Sequence, residues 1–347
     1  MLSKEDCTSF FAIRLPDATE IIRGASLHVA DGLSEGFFFS PFGLDAPVST
    51  IPAGYGFTDR EAAEWSLRNS TAFAHSERDL IPASTPRERH LQYVGEIVNE
   101  IGRWEKASGE YGKIIAAKTV SEECRRQPME LFRTLAGRFP DACVFLFSTP
   151  ATGTWIGASP ELLLHAGRER LATMSLAGTR LRGSAGEWDA KNIREQEIVT
   201  RFILSCMDES GLEATAAPRV TLGAGRVEHL CTRISAPMPH DAPLMPTAET
   251  VIRRLSPTPA LSGYPRKEAM EFITRHEATP RYCYGGTIGF AAPDEVNAYV
   301  NLRSGLMLPQ MSRLLLYAGG GIGSASVGAD EWTETENKLS TMRSALR

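Results

Sequence analysis

No apolar run in this chain is long enough to cross a bilayer, which argues against a membrane protein. There is no surplus of positive charge either. Against 42 Asp and Glu stand 37 Lys and Arg, and the net charge of −5 speaks against a nucleic-acid partner, leaving anion binding to local clusters of Lys and Arg. Six cysteines (Cys7, Cys124, Cys143, Cys206, Cys231 and Cys283) are scattered, with no CxxC and no histidine at zinc spacing. That argues against structural zinc and fits buried thiols in a reducing cytoplasm. The first residues, "MLSKEDCTSFFAIRLPD", carry acids early and lack a signal-peptide core, so a cytoplasmic location is expected. Internal repeats, low-complexity linkers and charge blocks are missing as well.

What is present is an ordinary globular composition, 42% hydrophobic and 23% charged, enough for one large or two modest domains. Aromatic-rich "FFAIRLP" and "GFFFSPF" read as short strands before Pro47. From Arg87 to Ala107, Leu91, Val94, Ile97, Val98, Ile101 and Trp104 recur at helical spacing. "GKIIAAKTV" reads as a strand, "MELFRTLAGRF" as a helix and "ACVFLFST" as a buried strand. "TWIGASPELLLHAG" and "RLATMSLAGTRLRG" look like two strands meeting at a turn around Gly167. "DAKNIREQEIVTRFILSC" predicts a helix with Ile198, Val199, Phe202, Ile203 and Cys206 on its apolar side. "RVTLG" and "VEHLCTRIS" are strand candidates, and "PMPHDAPLMP" reads as a proline-rich connection. A helix from Lys267 to about His276 precedes the strands "YCYGGTIGF", "VNAYVNLRSGLML" and "RLLLYAG", and a last helix starts near Asp330. Paired strands with helices spread between them predict an α+β fold, one compact domain over residues 1–347 built on large, mostly antiparallel sheets. Strict βαβ alternation is missing, which disfavours a Rossmann fold, and "GGGIG" alone is a weak dinucleotide signal.

Several charged residues fall in unusual places. Glu195 lies three and four residues before Ile198 and Val199, on the apolar side of its helix. A carboxylate there either meets a cation or snorkels at the edge of the face. Glu331, Glu334 and Lys338 run along one side of the last helix, as an exposed ion pair or as part of a site for Mg2+, which takes one or two carboxylates plus substrate oxygens. Lys113 opens an apolar strand and Glu161 follows Pro160 between two apolar runs. Either could cap its element toward water; facing one cavity, they would form a base and an acid. His229 in "VEHLCTR" is the pattern of a hydrogen-bonded core histidine as much as of a site residue. Arg303 in "NLRSGLM" calls for an anionic partner, internal or bound. "SLAGTRLRG" sets Gly178 and Thr179 beside two arginines, as a hairpin corner or as a grip on a small anion.

"GKIIAAK", "GASPELLL", "SLAGTR", "REQEIV", "EHLCTR", "SPTPALSGYPRKEA", "YGGTIGF", "NLRSGL", "YAGGGIGSASVGADEW" and "ETENKLSTM" follow one another in that order. Together they resemble the chorismate-utilising enzymes: isochorismate, salicylate, anthranilate and aminodeoxychorismate synthases. The likeness runs from about Lys113 to Lys338; within the expected single domain, residues 87–347 make the family core and residues 1–86 a less typical N-terminal sheet portion. The resemblance implies Mg2+ held by Glu195 and Glu334 with Glu331 in the outer shell. It also implies Arg303 and the backbone N–H groups around Gly319 and Gly321 on the enolpyruvyl carboxylate. Gly178 and Thr179 would meet the ring, with His229 near it and Lys338 beside the metal. Ammonia-using members carry glutamine at the position of Lys113. A lysine there suits activation of water, with Glu161 as the acid across the ring, which implies an isochorismate synthase; menaquinone synthesis is the expected pathway, and siderophore pathways use the same first step. Salicylate synthase, which then eliminates pyruvate, is the alternative; an ammonia-using subunit or a non-catalytic chorismate-binding homologue is further off. Aminodeoxychorismate synthases often have lysine in place of Ala177. A monomer acting on chorismate, without an amidotransferase subunit, is expected. Gln196, Asn192 and Tyr264 depart from the commoner pattern, where a histidine often follows the glutamate and an acid is frequent at 192.

Overall fold

The computed structural model describes residues 6–77, 83–183, 186–224 and 227–346. Its frame is two antiparallel sheets. One has eight strands in the order β14 (Gly263–Tyr264), β6 (Lys113–Glu123), β18 (Arg313–Ile322), β17 (Ser304–Leu308), β8 (Gly153–Ser159), β7 (Cys143–Thr149), β1 (Ser9–Arg14) and β2 (Ile22–Ser26). The other follows the path β11 (Thr215–Ala216), β13 (Val227–Pro237), β10 (Arg170–Leu181), β9 (Leu162–Gly167), β16 (Glu295–Val300), β15 (Thr287–Ala292), β4 (Gly36–Ser40), β5 (Ser49–Ile51) and β3 (Ala30–Asp31), with β12 (Val220–Ala224) also on β13. The α+β, mainly antiparallel architecture expected from the strand pairs is therefore present.

The sheets face each other across an aromatic layer. Phe11, Phe145, Phe147, Trp155 and Tyr317 from the eight-stranded sheet meet Phe37, Phe39 and Tyr299 from the other. Offset and tilted rings such as Phe39 on Phe147, 4.9 Å between centroids, add directional attraction to apolar burial. Outside the eight-stranded sheet lie α1 (Asp59–Ser76), α3 (Pro128–Arg138) and α7 (Gly328–Leu346); outside the ten-stranded sheet lie α4 (Ala190–Asp208) and α5 (Leu244–Leu255). Helices α2 (Arg87–Ser108) and α6 (Arg266–His276) cover β6 at one edge.

Four readings of the sequence need correction. The segment after Pro47, given no helix, contains α1, started by a reciprocal capping box between Thr58 and Glu61. The supposed connection "PMPHDAPLMP" already contains the first turn of α5, because prolines are tolerated before and within a first turn. "YCYGG" is turn, and β15 starts only at Thr287. Finally, "TWIGASPELLLHAG" and "VNAYVNLRSGLML" are each two strands in different sheets, the chain passing between sheets at 160–161 and at 301–303. Those two passages place the residues that matter most.

Candidate active site

Glu161 and Arg303 sit on the neighbouring passages, and hydrogen bonds knit the two together. Ala158 N–H donates to the Arg303 carbonyl at 3.1 Å, and Val300 N–H to the Glu161 carbonyl at 3.0 Å. Ser159 Oγ donates to the Val300 carbonyl at 2.6 Å and accepts from Glu161 N–H at 3.3 Å. Arg303 itself has φ +48°, a left-handed backbone rare for a residue with a side chain and found where surrounding structure imposes it. Its guanidinium donates to the Lys338 carbonyl at 3.2 Å.

Both side chains face a cavity of about 310 Å3 between the sheets, at the size expected for a small ligand. Lys113 reaches it from the start of β6, Gly178 and His229 from β10 and β13, Glu195 from α4, Gly319 and Gly321 from β18, and Glu331, Glu334 and Lys338 from α7. Of the residues singled out in the sequence, Thr179 stands apart: its side chain lies outside the described residues, while its backbone pairs with His229.

Ion pairs organise the cavity. Lys113 Nζ stands 3.1 Å from Glu195 Oε2, with both side chains 11% exposed. Lys338 Nζ stands 2.7 Å from Glu334 Oε1 and donates to the Gly319 carbonyl at 2.7 Å. Ser326 Oγ donates to Glu331 Oε1 at 2.7 Å. Glu161 is the exception in electrostatics. Burial pushes its pKa up to about 7, outweighing the pull of Lys338, Arg303 and Lys113 toward the charged form. At neutral pH it is poised to give a proton. Burial also holds the His229 imidazole below its ordinary pKa, and Nδ1 stands 3.2 Å from the Gly178 carbonyl.

The glycines act by what they lack. A Cβ on Gly321 would collide with Lys113 Cε and lie 2.9 Å from Nζ. Gly178 has φ +74°, and a Cβ there would meet Asn192 at 3.1 Å. The strand that carries Gly321, β18, also supplies donors. Ile115 and Ala117 direct their N–H groups to the Ser262 carbonyl and to Glu277 Oε1, away from β18. Their ladder partners Gly321 and Gly319 are therefore the non-hydrogen-bonded pairs and aim their own N–H groups away from β6. The registered pairing of β17 with β18 ends at Leu316, so on that side these glycines lie beyond β17, near Arg303.

Glu195, Glu331 and Glu334 offer only oxygen donors, the set a hard dication prefers, and two of them already receive ammonium groups that stand in for a cation. Among the described residues no three His, Cys, Asp or Glu side chains form a ready cage. The carboxylates thus suit Mg2+ in chemistry while spread across two helices.

Sequence reasoning missed Tyr111, whose hydroxyl donates to Glu195 Oε1 at 3.1 Å, and Tyr284, a cavity wall stacked on Tyr317 at 5.2 Å. Tyr111 lies two residues before Lys113, which is the only signal the sequence offered for it. The departures also find places. Gln196 is buried, its Nε2 within 2.7–2.9 Å of the hydroxyls of Ser175, Thr200 and Thr232, tying α4 to β10 and β13. Asn192 lines the cavity and donates to Asp189 Oδ2 at 2.6 Å, and Tyr264 pairs through its backbone with Lys113. No helix among the described residues is long and apolar enough to cross a membrane.

A family model described as chorismate binding enzyme matches residues 58–347. The salicylate biosynthesis isochorismate synthase of Pseudomonas aeruginosa is 32% identical over 252 residues, 69% of this chain and 51% of that protein. The isochorismate synthase EntC of Escherichia coli is 28% identical over 321 residues, 87% of this chain and 78% of that one. The chain spans about half the length of the first curated relatives it matches. Among solved structures, MenF, the menaquinone-specific isochorismate synthase from Escherichia coli, superposes with TM-score 0.72 at 19% identity, covering 98% of this chain and 89% of that one. Anthranilate synthase component I from Streptococcus pneumoniae superposes with TM-score 0.60 at 16% identity, covering 99% and 93%. These structural likenesses speak for the fold.

Proposed function

The chain belongs to the chorismate-binding enzyme family, and from that premise we propose that it converts chorismate to isochorismate by adding water at C2 and expelling the C4 hydroxyl. The observation that carries this reading is the pairing in one cavity of Lys113, the candidate base, with Glu161, an acid whose pKa burial pushes up to about 7. Water is a poor nucleophile until it loses a proton, and hydroxide is a poor leaving group until it gains one. A base and an acid serving opposite ends of the ring meet both needs.

In this mechanism Lys113 takes a proton from water as its oxygen bonds to C2. Both ring double bonds shift, C1=C2 to C1=C6 and C5=C6 to C4=C5, the C4–O bond breaks, and Glu161 gives its proton to the departing oxygen, so water in equals water out. Lys113 must first exchange its partner, because the amine that takes the proton now donates to Glu195. Arg303 and the N–H groups of Gly319 and Gly321 would hold a carboxylate of the substrate, and Gly178 with its neighbour Thr179 and His229 would border the ring. Mg2+, which Glu195 and Glu334 would hold with Glu331 behind them, supplies charge neutralisation for a second carboxylate when bound. Lys338 keeps Glu334 and the Gly319 carbonyl in place beside it.

Ala177 lines the cavity, which supports water over an amine delivered by a lysine there. The relatives carry names pointing to salicylate and menaquinone, so the reading stops at the step they share. The test is chromatography of the products from chorismate with Mg2+, with and without chelator and ammonium. Isochorismate that disappears with chelator supports the reading. Salicylate with pyruvate extends the reaction to elimination, and an aminated product in its place overturns the reading.

A further inference from the structure

The geometry points to Tyr111 as a positioning residue for Glu195, and this inference rests on the reading of Glu195 as a Mg2+ ligand. The two oxygens of Glu195 have different partners: Oε1 accepts the Tyr111 hydroxyl at 3.1 Å, and Oε2 accepts Lys113 Nζ at 3.1 Å. Tyr111 and Lys113 are two residues apart where the chain enters β6, and both side chains reach the one carboxylate. One stretch of chain thus grips both oxygens of the carboxylate.

The two partners are not equivalent. The proposed chemistry requires Lys113 to leave Oε2, whereas nothing requires the phenol to leave Oε1. A phenol hydroxyl is a neutral donor, so it can keep its bond to Oε1 whichever cation stands at Oε2. Gly112, between the two residues, donates its N–H to Glu105 Oε1 at 3.2 Å, which ties down the backbone that carries them. Tyr111 also lines an outer depression of about 410 Å3 with Glu105, Glu110, Arg194 and Ser324, whereas Glu195 lines the catalytic cavity. The Tyr111–Glu195 bond therefore stands between the two. Tyr111 holds the carboxylate in one orientation while its other oxygen changes from ammonium to cation. Hydrogen-bond partners behind ligating carboxylates commonly carry such weight.

The test is Tyr111→Phe, which removes one oxygen and keeps the ring. Mg2+ alone is titrated calorimetrically into the full chain without chorismate, and turnover is followed against Mg2+ and against chorismate. Mg2+ affinity is expected to fall by about tenfold or more. At saturating Mg2+ the chorismate KM should stay within about twofold, the split expected when substrate contacts are intact. Wild-type Mg2+ affinity in the variant overturns the inference, as does a loss confined to chorismate KM. If the wild-type chain takes up no Mg2+, the reading of Glu195 as a metal ligand falls, and the inference falls with it.

Discussion

Lys113 and Lys118 lie on one strand, five residues apart, and point to opposite faces of the sheet. Both are ion-paired, yet they do different work. Lys118 is wholly buried, 2.6 Å from Glu336 and 3.1 Å from the centroid of the Trp332 ring. Glu336 is gripped in turn by Arg343, which reaches Glu122 on the same strand. Burial pulls the Lys118 pKa down, and Glu336 opposes that pull. Such a charge is enclosed by fixed partners and fastens α7 to β6. Lys113 instead meets its carboxylate at the wall of a cavity, where a ligand can take over either partner. A pairing with nowhere to go is architecture, and one open on a ligand's side is available for chemistry.

The comparison breaks most sharply if Lys113 can be removed without harm. Lys113→Ala should lower turnover about a hundredfold or more, the scale of a positioned acid or base, while the fold survives, since Tyr111 still donates to the Glu195 carboxylate left behind. Loss of folding instead would make the two lysines alike. Lys118→Met is the converse case. It should cost on the order of 2 kcal/mol in urea unfolding, below the usual cost of breaking a fully buried pair, because Glu336 is partly exposed and keeps Arg343. Turnover per folded molecule should stay within a few-fold.

Gly321→Ala sharpens the contrast without touching a charge. The added methyl would collide with Lys113 and displace its amine, so turnover should fall about tenfold with stability nearly unchanged. Unaltered kinetics would show that the amine's position is not critical. The smallest effect concerns Glu161. Between its ordinary 4.5 and about 7 the folded chain binds a proton that the unfolded chain releases, so stability falls as pH rises through that window. Glu161→Gln should flatten this slope, by on the order of 1 kcal/mol once partial exposure is allowed for, in melts taken from pH 4 to 8. In activity, wild-type turnover should decline above about pH 7 as the acid is lost.

What the sequence made legible follows from its periodicities. Helix α4 was plain because Ile198, Val199 and Ile203 repeat on its buried side. Helix α1 was hidden because its buried face includes Ser66, Asn69 and Ser70, which bond to Thr154, Ser148 and the Met307 carbonyl. Polar residues used as core break the apolar rhythm. The run through Pro160 concealed a change of sheet, since both strands are largely buried and only Pro160 and Glu161 separate them. In the site, charges inside apolar runs pointed to Lys113, Glu161, Glu195 and Arg303. Tyr111 carried no such anomaly; a phenol before a glycine looks ordinary until the carboxylate it meets is located.

The place of β1 between β2 and β7 has a consequence for how the chain is made. Phe10, Phe11 and Ile13 are made long before β7, with which their strand pairs and where Phe10 lies opposite Ser148. Until that distant segment is synthesised, β1 is a nascent apolar strand with its later neighbour unborn. Pairing at such separation makes for slow folding and a long interval of exposed surface. Refolding from denaturant is therefore expected to be slow, with losses to aggregation that grow with protein concentration and shrink when a chaperone shelters the early strands.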